Sequence, residues 1–155
     1  MKKEIDECIE IDPSLIRNHV IFEVKGKPFG KQRPKFSRRG RFITTYTPRE
    51  TVEYERKVRD SYRKKYGNNY KLNSPVQANI TAYYKIPTGT SAIKRKKMLE
   101  KEILPQIKPD TDNIAKAILD PLNKLVYDDD AQVVKLNIEK YYSDEPNVIV
   151  EIKEV

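Results

Sequence analysis

Six carboxylates crowd into residues 108–132, KPDTDNIAKAILDPLNKLVYDDDAQ, in a chain whose formal net charge is +8. Asp110 and Asp112 stand one residue apart. Ile114, Ala117, Ile118, Leu122 and Leu125 then recur at spacings of three and four, which predicts a helix with one buried face. Asp128, Asp129 and Asp130 follow, just before a strand-like run. Like charges repel, so a fold that gathers them holds a cation or leaves them in water. Either way, this stretch must form a helix with acids at both ends.

Each cluster alone has a plain structural reading. An aspartate at a helix start caps it, and three aspartates in a row suit a solvated turn. Together they suggest more. Asp110 and Asp112 share a face if the backbone there is extended. Asp112 opens the helix, Lys116 lies one turn on, and Asp130 enters from the next connection. Carboxylate oxygens suit Mg²⁺ or Mn²⁺ rather than soft metals. Pro121 should kink or restart the helix, with Asp120 as a local cap. Other readings fail on detail. A calcium loop counted from Asp110 needs Gly and Glu where Ala115 and Pro121 stand. Ile114 replaces the threonine of a D-x-D-x-T phosphatase, and there is no Gly-rich phosphate loop or cysteine–histidine zinc spacing.

The positive charge is local. Residues 25–49 hold nine cations and no acid, and removing those nine from the formal +8 leaves about −1. A patch of this kind meets a polyanion. Lys31, Arg33, Lys35, Arg38, Arg39 and Arg41 are the candidate DNA contacts. Phe29 and Phe36, interleaved with them, either stack on bases or pack beneath the segment; packing is the preferred reading. Lys94, Arg95, Lys96 and Lys97 form a second basic run, read as a solvated helix face or a further DNA contact.

K-P-D-x-D-N, then Lys116, then D-D-A-Q-V-V resembles the signature of RusA-type Holliday junction resolvases, small endonucleases of phage and prophage origin. The likeness extends more loosely over residues 26–54. It implies a Mg²⁺-dependent homodimer, with Mn²⁺ as a substitute, that resolves four-way DNA junctions by paired symmetric nicks. It further implies that Asp110, Asp112 and Asp130 are metal-binding catalytic residues and that Lys116 is catalytic. Asp129 matches a less critical acid and Asp120 a family acidic position read here as structural. Two alternatives remain: a non-catalytic basic DNA-binding protein whose acids are structural, and a nuclease acting on another branched nucleic acid.

At 155 residues the chain has the size of one domain. Residues 1–18 read as an N-terminal extension and 19–155 as the endonuclease domain. Strands are expected at 20–25, 41–46, 75–86, from 133 to about 142, and from 148. The first two would make the basic segment a long hairpin. A helix should start at Thr47-Pro48-Arg49-Glu50 with a capping box and end at Gly67. Its core stripe would be Tyr54, Val58 and Tyr62, with Glu53–Lys57 and Glu55–Arg59 as charge pairs. A shorter helix covers 91–102. The fold class is α+β, one domain with a mixed, largely antiparallel sheet flanked by helices. His19 is read as structural. No apolar run approaches a membrane span of ~18 residues, no signal peptide is visible, and Cys8 is the only cysteine. The expected compartment is the cytoplasm.

Overall fold

The computed structural model describes residues 18–155. The extension 1–18, with Cys8, lies outside the described residues except for Asn18. Five elements lead the chain: β1 (His19–Lys25), β2 (Lys35–Arg39), β3 (Phe42–Tyr46), α1 (Arg49–Tyr66) and β4 (Val76–Lys85). Then come α2 (Ala92–Leu99), α3 (Thr111–Leu119), two 3₁₀ turns at Asp120–Leu122 and Asp130–Gln132, β5 (Val133–Ser143) and β6 (Asn147–Glu154).

Four strands form a mixed sheet in the order β1-β6-β4-β5. β6 runs antiparallel to both β1 and β4, whereas β4 and β5 are parallel. A parallel pair needs a crossover, and here the crossover carries α2, α3 and both 3₁₀ turns. Strict alternation along β1, β4 and β6 buries one face of the sheet: Val20, Phe22 and Val24; Val76, Ala78, Ile80, Ala82 and Tyr84; Val148, Val150 and Ile152. Tyr54, Val58 and Tyr62 of α1, and Ile114, Ala117 and Ile118 of α3, complete the same core. This is the expected α+β domain.

Several local expectations change. α1 begins after Pro48, whose extended backbone leaves Thr47 outside the helix, and no side chain caps it. Glu50 closes no capping box; it accepts a hydrogen bond from Gln32 Nε2 at 2.8 Å. Glu53 pairs with Arg49 and Glu55 with Lys31, in place of the expected Lys57 and Arg59. The C-terminus is as read: Gly67, at φ +70°, donates to Arg63 O at 2.8 Å. The long basic hairpin is also corrected. β1 pairs with β6, and the hairpin is the short ribbon β2–β3. Its two-residue turn places Gly40 at φ +62°, first of the central pair, as tight hairpins favour.

His19 has the structural part expected of it. Its ring lies 2.9 Å from Glu151, which also accepts from Asn79 at 2.8 Å. The Asn79 hydrogen bond, then His19, hold the Glu151 carboxyl below its ordinary range against the opposing effect of burial. A lowered carboxylate pKa adds stability that is complete above the ordinary value and lost as pH falls through the lowered one. Glu151→Gln should therefore lower the melting temperature at neutral pH, with the difference from wild type closing as the solution is acidified. A gap of constant size across pH would show that the charge of Glu151 contributes nothing.

Candidate active site on helix α3

Helix α3 buries Ile114, Ala115, Ala117, Ile118 and Leu119. That leaves Asp112, Asn113, Lys116 and Asp120 on the other side, the first, third and fourth of them at successive spacings of four. Asp110 takes the N-cap position with an extended backbone, yet its side chain makes no capping hydrogen bond. The simple capping explanation of Asp110 is thereby removed. The arm that delivers it is pinned from below: Tyr84 Oη and Lys140 Nζ each donate to Pro109 O at 3.2 Å, and Lys140 also donates to Ile107 O. Burial, then the nearby charge of Asp110, push the Tyr84 hydroxyl up to about 12. Tyr84 therefore stays a protonated donor at neutral pH.

Asp110, Asp112, Asn113 and Lys116 line a cavity of about 390 Å³, whose opposite wall includes Lys31 and Arg33. The loop before the ribbon is held against α3 by a close backbone approach. Lys31 N donates to Asn113 O at 3.1 Å, and a Cβ added to Gly30 would stand 2.5 Å from Pro109 Cβ. Only glycine fits such a contact without displacing its neighbour. Phe29, one residue earlier, stacks on Tyr54 with ring centroids 4.9 Å apart. The packing reading thus holds for Phe29. It fails for Phe36, which is 76% exposed.

At the far end of α3, Asp120 meets both Lys31 and Asp130. Lys31 Nζ lies 2.5 Å from Asp120 Oδ2 and 3.1 Å from Glu55 Oε1. Burial alone would lower the Lys31 pKa, but hydrogen bonds and charge from the two carboxylates outweigh it and leave the ammonium more firmly protonated. Asp130 is held above its ordinary carboxyl value by its hydrogen bond with Asp129, by desolvation and by the charge of Asp120. Asp129 is held below its own, first by the Ala131 N–H it accepts. Asp129 also forms a capping box with Gln132, and Asp128 pairs with Lys71. Beneath them Tyr127 is fully buried and donates to Leu119 O at 2.6 Å. Burial, then the charges of Asp130, Asp120 and Asp129, raise its pKa far above the ordinary value.

The sequence candidates thus fall into two neighbouring groups. Asp110, Asp112 and Lys116 share one cavity, and Asp130 stands with Asp120 and Asp129. Among the described residues, no three acidic, histidine or cysteine side chains converge as a ready metal cage. The donor chemistry nonetheless fits a hard divalent cation: every donor is a carboxylate oxygen, and the like-charge crowding at Asp130 is what such a cation relieves. Of the six candidate DNA contacts, Lys31 is tied into the acid site and Arg33 lines the cavity. Lys35, Arg38, Arg39 and Arg41 are exposed on the ribbon and its turn. Sequence reasoning missed Glu55, Gly30 and Tyr127, and gave Asp120 only a structural part. The spacing of four from Lys116 to Asp120 is a signal that identifies Asp120 with the helix face. No comparable signal links Lys31 to Glu55.

Residues 25–153 match the family model described as endodeoxyribonuclease RusA. The chain is also 36% identical over 138 residues to the uncharacterized protein YqaN of Bacillus subtilis (strain 168), across 88% of this chain and 96% of that protein.

Proposed function

Because the chain belongs to the RusA endodeoxyribonuclease family, we propose that it is a Holliday junction resolvase that cuts four-way DNA by paired symmetric nicks. It works as a homodimer in the cytoplasm with Mg²⁺, for which Mn²⁺ substitutes. The observation that carries this reading is the face of α3, where Asp110, Asp112 and Lys116 border one cavity with basic Lys31 and Arg33 opposite. Phosphodiester hydrolysis needs an anionic substrate held beside acids, and this cavity offers both signs of charge.

Asp110, Asp112 and Asp130 would hold the metal, with Asp120 adjacent to Asp130. When bound, the ion supplies an activated water and neutralises charge on the phosphoryl oxygens. The chain's own residues do the rest. Lys116 offers an ammonium to charge that develops on the scissile phosphate. Arg33, on the cavity wall, orients the phosphate with its fork of donors. Lys31, anchored by Glu55, holds the Asp120 side chain in place. A two-fold dimer matches two such sites to the two opposed strands of a junction.

The test is incubation with a synthetic mobile four-way junction, mapping of nicks, and duplex and flap controls. Symmetric paired nicks that require Mg²⁺ are expected, with light scattering giving a dimer at micromolar concentration. Tight junction binding without any nick would leave a non-catalytic binding protein. Equal cutting of flaps would assign another branched substrate.

A further inference from the structure

The β2–β3 ribbon forms a sheet of its own, apart from the four-stranded one. Every residue of β3 is exposed, as is every residue of β2 but Ser37. The register assigns its side chains to two faces. Phe36 stands opposite Thr45 and Arg38 opposite Ile43, so one face carries Phe36, Arg38 and Ile43. Lys35 stands opposite Tyr46 and Arg39 opposite Phe42, so the other carries Lys35, Arg39, Phe42 and Tyr46. Phe36 is 76% exposed and Phe42 77%. Each face therefore presents an uncovered aromatic ring beside a cation, and residues 35–46 contain no acid.

A ribbon that packed on another protein, or lay along one duplex, would use one such face and leave the other polar. Two faces equipped alike suit an element that stands between nucleic-acid segments. A two-stranded ribbon has the width to enter a DNA groove. Its cations neutralise phosphates on either side. Rings gain energy by stacking on bases only where bases are unstacked, because a continuous duplex hides their faces. Branch points expose them.

Resting on the nuclease reading, we propose that the β2–β3 ribbon inserts at the branch point of DNA, where Phe36 and Phe42 stack on bases opened there. This contact gives the chain its preference for branched over duplex DNA. The substrate class it recognises is DNA with unpaired or unstacked bases at a junction of helices. A second copy of this chain is the competing occupant.

The test compares wild type with the double variant Phe36→Leu/Phe42→Leu, which keeps apolar bulk on an exposed ribbon and removes only the rings. Affinities for a four-way junction and for duplex of equal length are measured at one salt concentration, with 2-aminopurine placed at the branch point. Wild type should prefer the junction and raise the 2-aminopurine fluorescence on binding. The double variant should lose roughly 10-fold or more of junction affinity, lose the fluorescence change, and bind duplex as before. Arg38→Gln/Arg39→Gln should weaken both substrates alike and flatten the salt dependence. Unchanged junction preference in the ring variant overturns the ribbon's role while leaving the nuclease reading intact. Dissociation of a dimer in the ring variant also overturns it and assigns the ribbon to the partner copy. Wild type that binds junction and duplex equally overturns both readings.

Discussion

Asp112→Asn should lower Mg²⁺-supported junction cleavage to background, at least ~10²-fold, while junction binding survives. Asparagine keeps the size and one oxygen of the side chain but removes the charge a hard cation needs. The fold depends only weakly on that charge. Asp112 is exposed in the first turn of α3, and its first-turn acid adds only the ordinary helix-dipole benefit of about 0.3–1 kcal/mol. Melting temperature should barely move without metal. Saturating Mn²⁺ should raise the melting temperature of the wild type and raise that of the variant less, since one proposed ligand is lost. The assignment fails if the variant cuts at the wild-type rate in Mg²⁺, or if binding to the junction falls in step with cleavage.

Lys116→Ala should cut the single-turnover rate by roughly 10²-fold or more and leave folding and junction affinity nearly unchanged. The competing explanation of Lys116 is an exposed ion pair with Asp112, one turn away, worth at most ~0.5 kcal/mol. The structure does not form that pair: among the described residues, Lys116 has no acidic partner within 4.0 Å. Lys116 instead lines the cavity it shares with Asp110 and Asp112. A lysine kept exposed beside acids and yet unpaired is available to an incoming phosphate. Arginine at this position should rescue only in part, because its planar fork places charge differently from a compact ammonium. Near wild-type turnover by Lys116→Ala at saturating Mg²⁺ would reduce the catalytic set to the aspartates.

The elements that position the site were readable wherever one residue type dominates one face. The alternation from Val76 to Tyr84 and the three-four spacing from Ile114 to Ile118 define β4 and α3 because burial rewards those periods directly. β2 was missed for the opposite reason. Lys35-Phe36-Ser37-Arg38-Arg39 buries neither face, so no period marks it as a strand. The capping box at Thr47 failed because proline at the N-cap shifts the start by one position. The two acid groups were visible as sequence clusters. Their partners were not: Lys31 reaches Asp120 over a sequence separation of 89, and only the fold supplies such a contact. The sequence assigns Lys31 to an arm facing DNA, whereas Glu55 and Asp120 place it at the edge of the acid site.

The strand order carries a consequence for how this protein assembles. β6, last of the strands along the chain, lies between β1 and β4, and it joins His19 to Lys153. Among the described residues β1 comes first and pairs in the sheet only with β6, so its pairing waits for β6 to arrive. Pairings this distant in sequence carry a large loop-closure cost and slow the search for the native state. The acids sit within the β4–β5 crossover. The basic segment leads directly out of β1. If β1 is seated last, the basic segment joins the acids last, and a partly folded chain carries its acids without the cations beside them.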